Sequence, residues 1–270
     1  MFRHPNYSNL LFFKIFENEP RLFHFSTTRT GGVSRGEFRS LNLGNYSDDN
    51  PLNIYENRSI VARKFYKTAD DLITPHQTHS NKVLLIDTNF LTLPNTDKIE
   101  KLYGFDASIT QEKGYFLGVT TADCVPILVF DPKNEAIGAI HAGWRGTTDR
   151  IVEKTILKMQ KSFGTEPKDI LAAIGPAISI DYYEVGKEVE KEFLKSGFKL
   201  NKSTSYHHDL SKKLHVDLKE INRQELIRLG VPKNQIEKTR YCTYNNSRLF
   251  FSARRQSIHS GRMLTGIMLR

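Results

Sequence analysis

Residues 115–164 read YFLGVTTADCVPILVFDPKNEAIGAIHAGWRGTTDRIVEKTILKMQKSFG. Three β-rich runs, 115–120, 125–130 and 136–141, follow one another in this stretch. Asp131-Pro132-Lys133-Asn134 separates the last two and has turn chemistry: proline presets φ, and Asp and Asn accept tight backbone. A helix is predicted next. Thr147 or Thr148 caps it, Ile151, Val152, Ile156, Met159 and Phe163 share one face, and Gly164 ends it. Strands feeding a helix in this way predict an α/β unit.

The same alternation continues on both sides. Further β-rich runs lie at 10–16, 22–26, 82–87, 170–174 and 248–252. Asn50-Pro51 predicts a capped helix running to about Tyr66. Val185, Val189 and Phe193 predict a third helix that stops near Gly197. Asp217 with Glu220 predicts a fourth, ended by Gly230 and Pro232. Residues 221–236 superficially read as helix–turn–helix, but the stretch after Val231-Pro232 suits a strand better than a DNA-reading helix. No repeat, low-complexity tract or Pro/Gly/Ser linker divides the chain, so residues 1–270 read as a single domain.

Composition narrows the function classes. A chain of 270 residues, 39% hydrophobic and 26% charged, can bury a full core, which excludes fibrous and wholly disordered classes. Its longest apolar runs fall far short of the ~20 residues of a membrane helix. Lys14 interrupts the apolar patch at 10–16, which reads as neither signal peptide nor anchor. The net charge is +9, but the cations are spread along the chain with no basic tail, so nucleic acid is not expected as a partner. Cys124 and Cys242 are the only cysteines, which fits a reducing cytoplasm better than a disulfide scaffold.

Three residues stand where strands end and loops converge: His79 in Pro75-His76-Gln77-Thr78-His79-Ser80, Cys124 between two apolar runs, and His141 at the close of another. Two imidazoles and a thiolate make a three-ligand zinc set with a fourth position open, the pattern of a catalytic site. The spacing is not a compact metal signature, and ordinary packed His and Cys side chains fit it equally. After His141, Gly143 and Gly146 allow close backbone approach, Arg145 adds a planar cation, and the helix start near Thr147 offers free N–H groups; together they suit an anion such as phosphate. The polar stretches 26–34 and 40–44 match no nucleotide-binding motif.

Taken in order, these blocks resemble one family. Phe25-Ser26-Thr27-Thr28-Arg29, Gly31-Gly32-Val33-Ser34, Ser40-Leu41-Asn42-Leu43-Gly44, Gln77-Thr78-His79, Thr121-Ala122-Asp123-Cys124-Val125-Pro126, His141-Ala142-Gly143-Trp144-Arg145-Gly146-Thr147, Ala173-Ile174-Gly175-Pro176 and Phe251-Ser252-Ala253-Arg254-Arg255 are similar to the YfiH/YlmD-like proteins. These were once called polyphenol oxidases or laccase-domain proteins and are related to the animal enzyme FAMIN. The resemblance covers roughly residues 22–267. It implies a single-domain, three-layer α/β/α fold with mixed sheets, and zinc held by His79, Cys124 and His141. It also implies phosphorolysis of adenosine, inosine or methylthioadenosine to free base and ribose 1-phosphate, with adenosine deamination as a companion activity. Some members are described instead as peptidoglycan editing factors. His76 and Cys242 inherit no ligand role.

Within that frame Asp123, adjacent to a ligand, is the candidate proton shuttle, because zinc deaminases use a carboxylate that way. Arg145 and Thr147 are the candidate phosphate contacts, and Arg29 and Asn42 the candidate ribose or base contacts. A laccase mechanism is not expected, since nine histidines include no His-x-His pair, although Cu²⁺ suits the same three donors. The competing enzyme reading makes Cys124 and His141 the nucleophile and base of an amidase or cysteine-type hydrolase acting on cell-wall precursors.

Overall fold

The computed structural model describes residues 1–3, 7–209 and 211–270. Two six-stranded mixed sheets stack face to face. The first runs in the order β1 (Phe2–Arg3), β2 (Leu10–Phe12), β3 (Leu22–Thr27), β15 (Met263–Leu269), β7 (Phe116–Thr121), β4 (Leu72–Ile73). The second runs β14 (Ile236–Lys238), β10 (Leu171–Ile174), β8 (Val125–Asp131), β9 (Ala136–Ala142), β6 (Ala107–Thr110), β5 (Val83–Leu85). A small antiparallel sheet adds β11 (Glu184–Val185), β13 (Leu214–Val216) and β12 (Ser205–His207).

The two-residue period of a strand explains the layering. Leu117, Val119, Ile267 and Leu269 meet Leu128, Phe130, Ile137 and Ala139 between the sheets. Their sequence neighbours point outward. Ile127, Val129, Ile140 and Ala142 pack under Ile151, Val152, Ile156 and Met159 of α5 (Ile151–Phe163). On the far side Phe116, Leu264 and Met268 pack under Val61 and Ala62 of α1 (Pro51–Ala62). The α/β/α layering therefore holds, with its middle layer doubled. Continuous apolar runs are what strands covered on both faces require.

Most elements lie where the sequence placed them. Asn50 caps α1 by accepting from Leu52 N–H, with Pro51 at the first helical position, and the chain leaves through Tyr66 at φ 57°. Asp217 caps α7 (Leu218–Arg228) by accepting from Glu220 N–H. Four expectations need correction. Residues 147–164 form not one helix but α4 (Trp144–Thr148) and α5, because Arg150 adopts a left-handed φ of 64° between them; Arg150, not a threonine, stands at the cap of α5, and Thr147 and Thr148 lie within α4, which Gly143 precedes. Residues 248–252 form no strand but a turn and an irregular segment: Phe250 and Phe251 are fully buried, so their apolarity serves packing and not pairing. Val185 belongs to β11, and the third helix, α6, is Lys187–Lys195. Residues 10–16 divide into β2 and a 3₁₀ turn. The short helices α2 (Thr88–Leu91), α3 (Asn95–Lys101) and α8 (Ala253–Gln256) complete the fold. Among the described residues no helix is long and apolar enough to cross a membrane.

Candidate metal centre and active site

His141 is the penultimate residue of β9, which β6 and β8 flank. Its backbone N–H donates to Asp106 C=O at 2.7 Å, and its Nδ1 lies 3.0 Å from Asp106 Oδ2. One carboxylate then orders the neighbouring loop. Asp106 Oδ1 accepts from the N–H groups of Thr78 (3.0 Å) and Ser80 (2.7 Å), and Oδ2 accepts from His79 N–H (3.0 Å). Gln77 pins the other end of the loop to β7, donating to Thr120 C=O and accepting from Thr120 N–H, both at 2.8 Å. So held, His79 takes a left-handed φ of 61°, uncommon outside glycine.

Cys124 is presented by a second strained turn, between β7 and β8, where Asp123 has φ 95°. The Asp123 carboxylate is the clamp. It accepts from Thr243 Oγ1 at 2.5 Å, Ser252 Oγ at 2.9 Å and Arg254 N–H at 2.7 Å. Strain of this kind persists only where the surroundings impose it. The donor atoms of His79, Cys124 and His141 all lie within 4.8 Å of one another, the only such group of three or more His, Cys, Asp or Glu among the described residues. Cys124 Sγ is 3.8 Å from His79 Nε2. Gly143 completes the enclosure: a Cβ there would stand 2.9 Å from the His79 ring and 3.1 Å from Cys124 Sγ, so only glycine fits.

The electrostatics favour a thiolate. Burial alone would raise the Cys124 pKa, but the His141 charge and hydrogen bonds from His141 and His79 outweigh it and bring it to about 6. Burial would lower His141, and the Cys124 charge with the Asp106 hydrogen bond overcomes this, lifting it to about 9. Asp106 is held below the usual carboxylate range: its burial is outweighed by His141 and the loop N–H groups.

The other sequence candidates fall in different places. Arg145 is exposed, with its guanidinium 4.2 Å from the Trp144 ring centroid. Thr147 is buried and accepts from Asn222 Nδ2 at 3.1 Å. Asn42 is fully buried; its amide donates to Ser47 and Asp49 and its oxygen accepts from Gly44 N–H and Arg262 N–H. Arg29 donates to the carbonyls of Arg39 and Ser247 and stacks on Phe251 at 4.5 Å. Cys242 lies apart, its Sγ accepting from Ser179 N–H and Asn245 N–H. His76 stacks on Tyr46, rings 3.7 Å apart, and does not join the donor group. Asp106 was missed in the sequence; its one signal is an acid at the head of the short stretch Ala107-Ser108-Ile109-Thr110, whose alternation suits a strand.

Residues 23–270 match the family model described as multi-copper polyphenol oxidoreductase laccase. The chain belongs to this family. It is 46% identical over 246 residues to a purine nucleoside phosphorylase of Bacteroides thetaiotaomicron, covering 91% of each chain. It is 39% identical to an adenosine deaminase, RL5, of an unknown prokaryotic organism, covering 90% of this chain and 92% of that one. The crystal structure of YlmD from Geobacillus stearothermophilus superposes with a TM-score of 0.87 at 31% identity, over 96% of this chain and 94% of that one. Against the family's description, the described residues gather one three-donor group that can hold a metal ion.

Proposed function

We propose that the protein is a zinc-dependent purine nucleoside enzyme whose main reaction is phosphorolysis of adenosine, inosine or methylthioadenosine, with adenosine deamination as a companion reaction. The observation that carries this reading is the His79–Cys124–His141 donor set, in a chain whose relatives include a purine nucleoside phosphorylase and an adenosine deaminase.

The donor set fits zinc. Tetrahedral zinc with Zn–S of about 2.3 Å and Zn–N of about 2.0–2.1 Å spaces sulfur and nitrogen about 3.6 Å apart. The 3.8 Å between Cys124 Sγ and His79 Nε2 is close to that. Asp106 occupies His141 Nδ1, which leaves Nε2 as the metal-binding atom, the usual carboxylate–histidine–metal arrangement. Cu²⁺ suits the same donors. Bound zinc would supply a Lewis acid that polarises a substrate oxygen.

The chain's own residues provide the rest. Arg145 has no carboxylate partner among the described residues and presents two parallel N–H groups suited to phosphate. In the reaction a phosphate oxygen bonds to C1′ of the ribose, the C1′–N9 bond breaks with its electron pair going to the purine, and the purine takes up a proton. Asp123 has both oxygens engaged by donors, so its role here is to fix Cys124 and not to shuttle protons. Asn42 and Thr147 act as framework, and Arg29 holds the 29–40 loop to Ser247. Two free thiols suit a cytoplasmic setting.

One observation favours a second reading: Cys124, His141 and Asp106 also form a thiolate–imidazolium–carboxylate series, as a cysteine-type hydrolase needs. A metal-bound thiolate is a poor free nucleophile, so metal content separates the two. The test is incubation of purified, metal-analysed protein with adenosine, inosine, methylthioadenosine and muramyl-peptide precursors, with and without phosphate, read by mass spectrometry. Phosphate-dependent ribose 1-phosphate supports the reading. Amide cleavage by metal-free protein, without nucleoside conversion, would replace it with the second.

A further inference from the structure

Resting on the phosphorolysis reading, we propose that the Tyr183 hydroxyl and the Arg254 guanidinium bind the phosphate co-substrate beside the His79–Cys124–His141 centre, on the side facing Arg145.

Tyr183 follows the 3₁₀ turn Ile180–Tyr182 and leads into β11. Its main chain is fixed at both ends: its N–H donates to Ile180 C=O, and its C=O accepts from Val216 N–H. Its ring is half-buried against the core beneath α5. Its hydroxyl, by contrast, has no hydrogen-bond partner among the described residues, whereas the neighbouring Tyr182 hydroxyl donates to Asn245 Oδ1. The ring neighbour of Tyr183, Arg254, is fixed through its backbone to the Asp123 carboxylate, next to Cys124, and the charges of Cys124, Arg254, Asp123 and Arg145 act on the Tyr183 hydroxyl.

Arg254 is tied to the same centre from another direction. Its backbone N–H donates to the Asp123 carboxylate at 2.7 Å. Its Nη2 donates to Glu184 C=O at 2.9 Å, and its guanidinium carbon lies 5.6 Å from the Tyr183 ring centroid. The guanidinium is exposed, and neither it nor that of Arg145 pairs with a carboxylate among the described residues. Arg150 and Arg228, by contrast, both pair with Glu225. Two guanidinium groups without an acid partner and an unpartnered hydroxyl, set around the turn that presents Cys124, offer what a tetrahedral oxyanion requires: planar forks for two oxygens and a neutral donor for a third. The five-residue α4 and the buried Thr147 contribute nothing to this grip, so the anion contacts move from the helix start to the 183 and 254 side chains.

Tyr183→Phe deletes the hydroxyl and keeps the ring. Arg254→Gln removes the cation and leaves the backbone N–H on Asp123. The measurement is the initial rate of ribose 1-phosphate formation from inosine across a phosphate titration, for wild type and both variants, with metal content determined in each. Each variant should raise the phosphate KM about tenfold or more, with inosine KM and metal content unchanged. An unchanged phosphate KM in both metal-loaded variants overturns the proposal. If wild type forms no phosphate-dependent product, the phosphorolysis reading itself fails. Calorimetric titration of inorganic phosphate alone then decides the anion site: binding by wild type that Tyr183→Phe abolishes upholds it, and no binding, or equal binding, overturns it.

Discussion

Replacing Asp106 with Asn should cost the centre its metal affinity while leaving the fold in place. The carboxylate is fully buried and faces four groups: Thr78 N–H and Ser80 N–H on Oδ1, His79 N–H and His141 Nδ1 on Oδ2. An asparagine can keep its oxygen toward only one of these pairs. With the oxygen left on Thr78 and Ser80, its NH₂ meets His79 N–H donor to donor. Nδ1 of His141 must then become an acceptor, which moves the ring proton to Nε2, the atom needed for the metal. One orphaned buried N–H costs about 1–3 kcal/mol. Loss of the outer carboxylate typically weakens metal binding about 10–100-fold. For a chain of this size each kcal/mol lowers Tm by roughly 2–4 °C, so a fall of roughly 2–12 °C is expected. Zinc competition against a chromophoric chelator and calorimetric melting of metal-free protein measure the two effects separately. A zinc affinity equal to wild type would refute the assignment of Asp106 as the group that sets the His141 tautomer.

Further outcomes follow from other parts of the structure. His24 is buried among Phe12, Phe13 and Phe16, and burial lowers its pKa to about 4 from 6.5. The unfolded chain takes up this proton near pH 6.5 and the folded one only near pH 4, so stability should fall by about 3 kcal/mol between them as pH drops; urea melts across that range should show a shallower slope for His24→Gln. Gly143→Ala forces a methyl group to within 2.9 Å of the His79 ring and should lower metal content, read by elemental analysis, with the far-UV spectrum preserved. Cys242→Ser should retain full metal, since Cys242 only accepts from two backbone N–H groups; loss of metal would mean that this thiol and not Cys124 is the ligand. Arg145→Ala should raise the phosphate requirement about tenfold or more while metal stays bound, and equal loss of phosphorolysis and deamination would instead mark Arg145 as structural.

The sequence showed the fold where pattern and structure share one cause. β8 and β9 are covered on both faces, so their runs are continuously apolar and visible. β6 is only four residues long, and Thr265-Gly266 dilutes the pattern of β15, so neither stood out. The break between α4 and α5 falls at Arg150, a residue type that gives no warning of left-handed backbone. At the site, thiolate and imidazole announce their own chemistry, and the three donors were legible at strand ends. Asp106 was not, because only the pairing of Ala107 with Ile140 across β6 and β9 brings it to His141, 35 positions away in sequence. Thr147 and Asn42 show the converse: polar residues near a glycine-rich loop look free in the sequence, yet a fold must satisfy its buried polar groups, and both are hydrogen-bonded within it.

The most direct test of the account is the fate of labelled phosphate. Metal-loaded protein is given inosine and phosphate carrying ¹⁸O at all four oxygens, and the sugar product is analysed by mass spectrometry beside Cys124→Ser. Ribose 1-phosphate that retains all four labelled oxygens is expected, because the C1′–N9 bond breaks and no P–O bond does, and this product should be lost with the metal in the variant. Free ribose carrying solvent oxygen, or undiminished labelled product from metal-free Cys124→Ser, would contradict it.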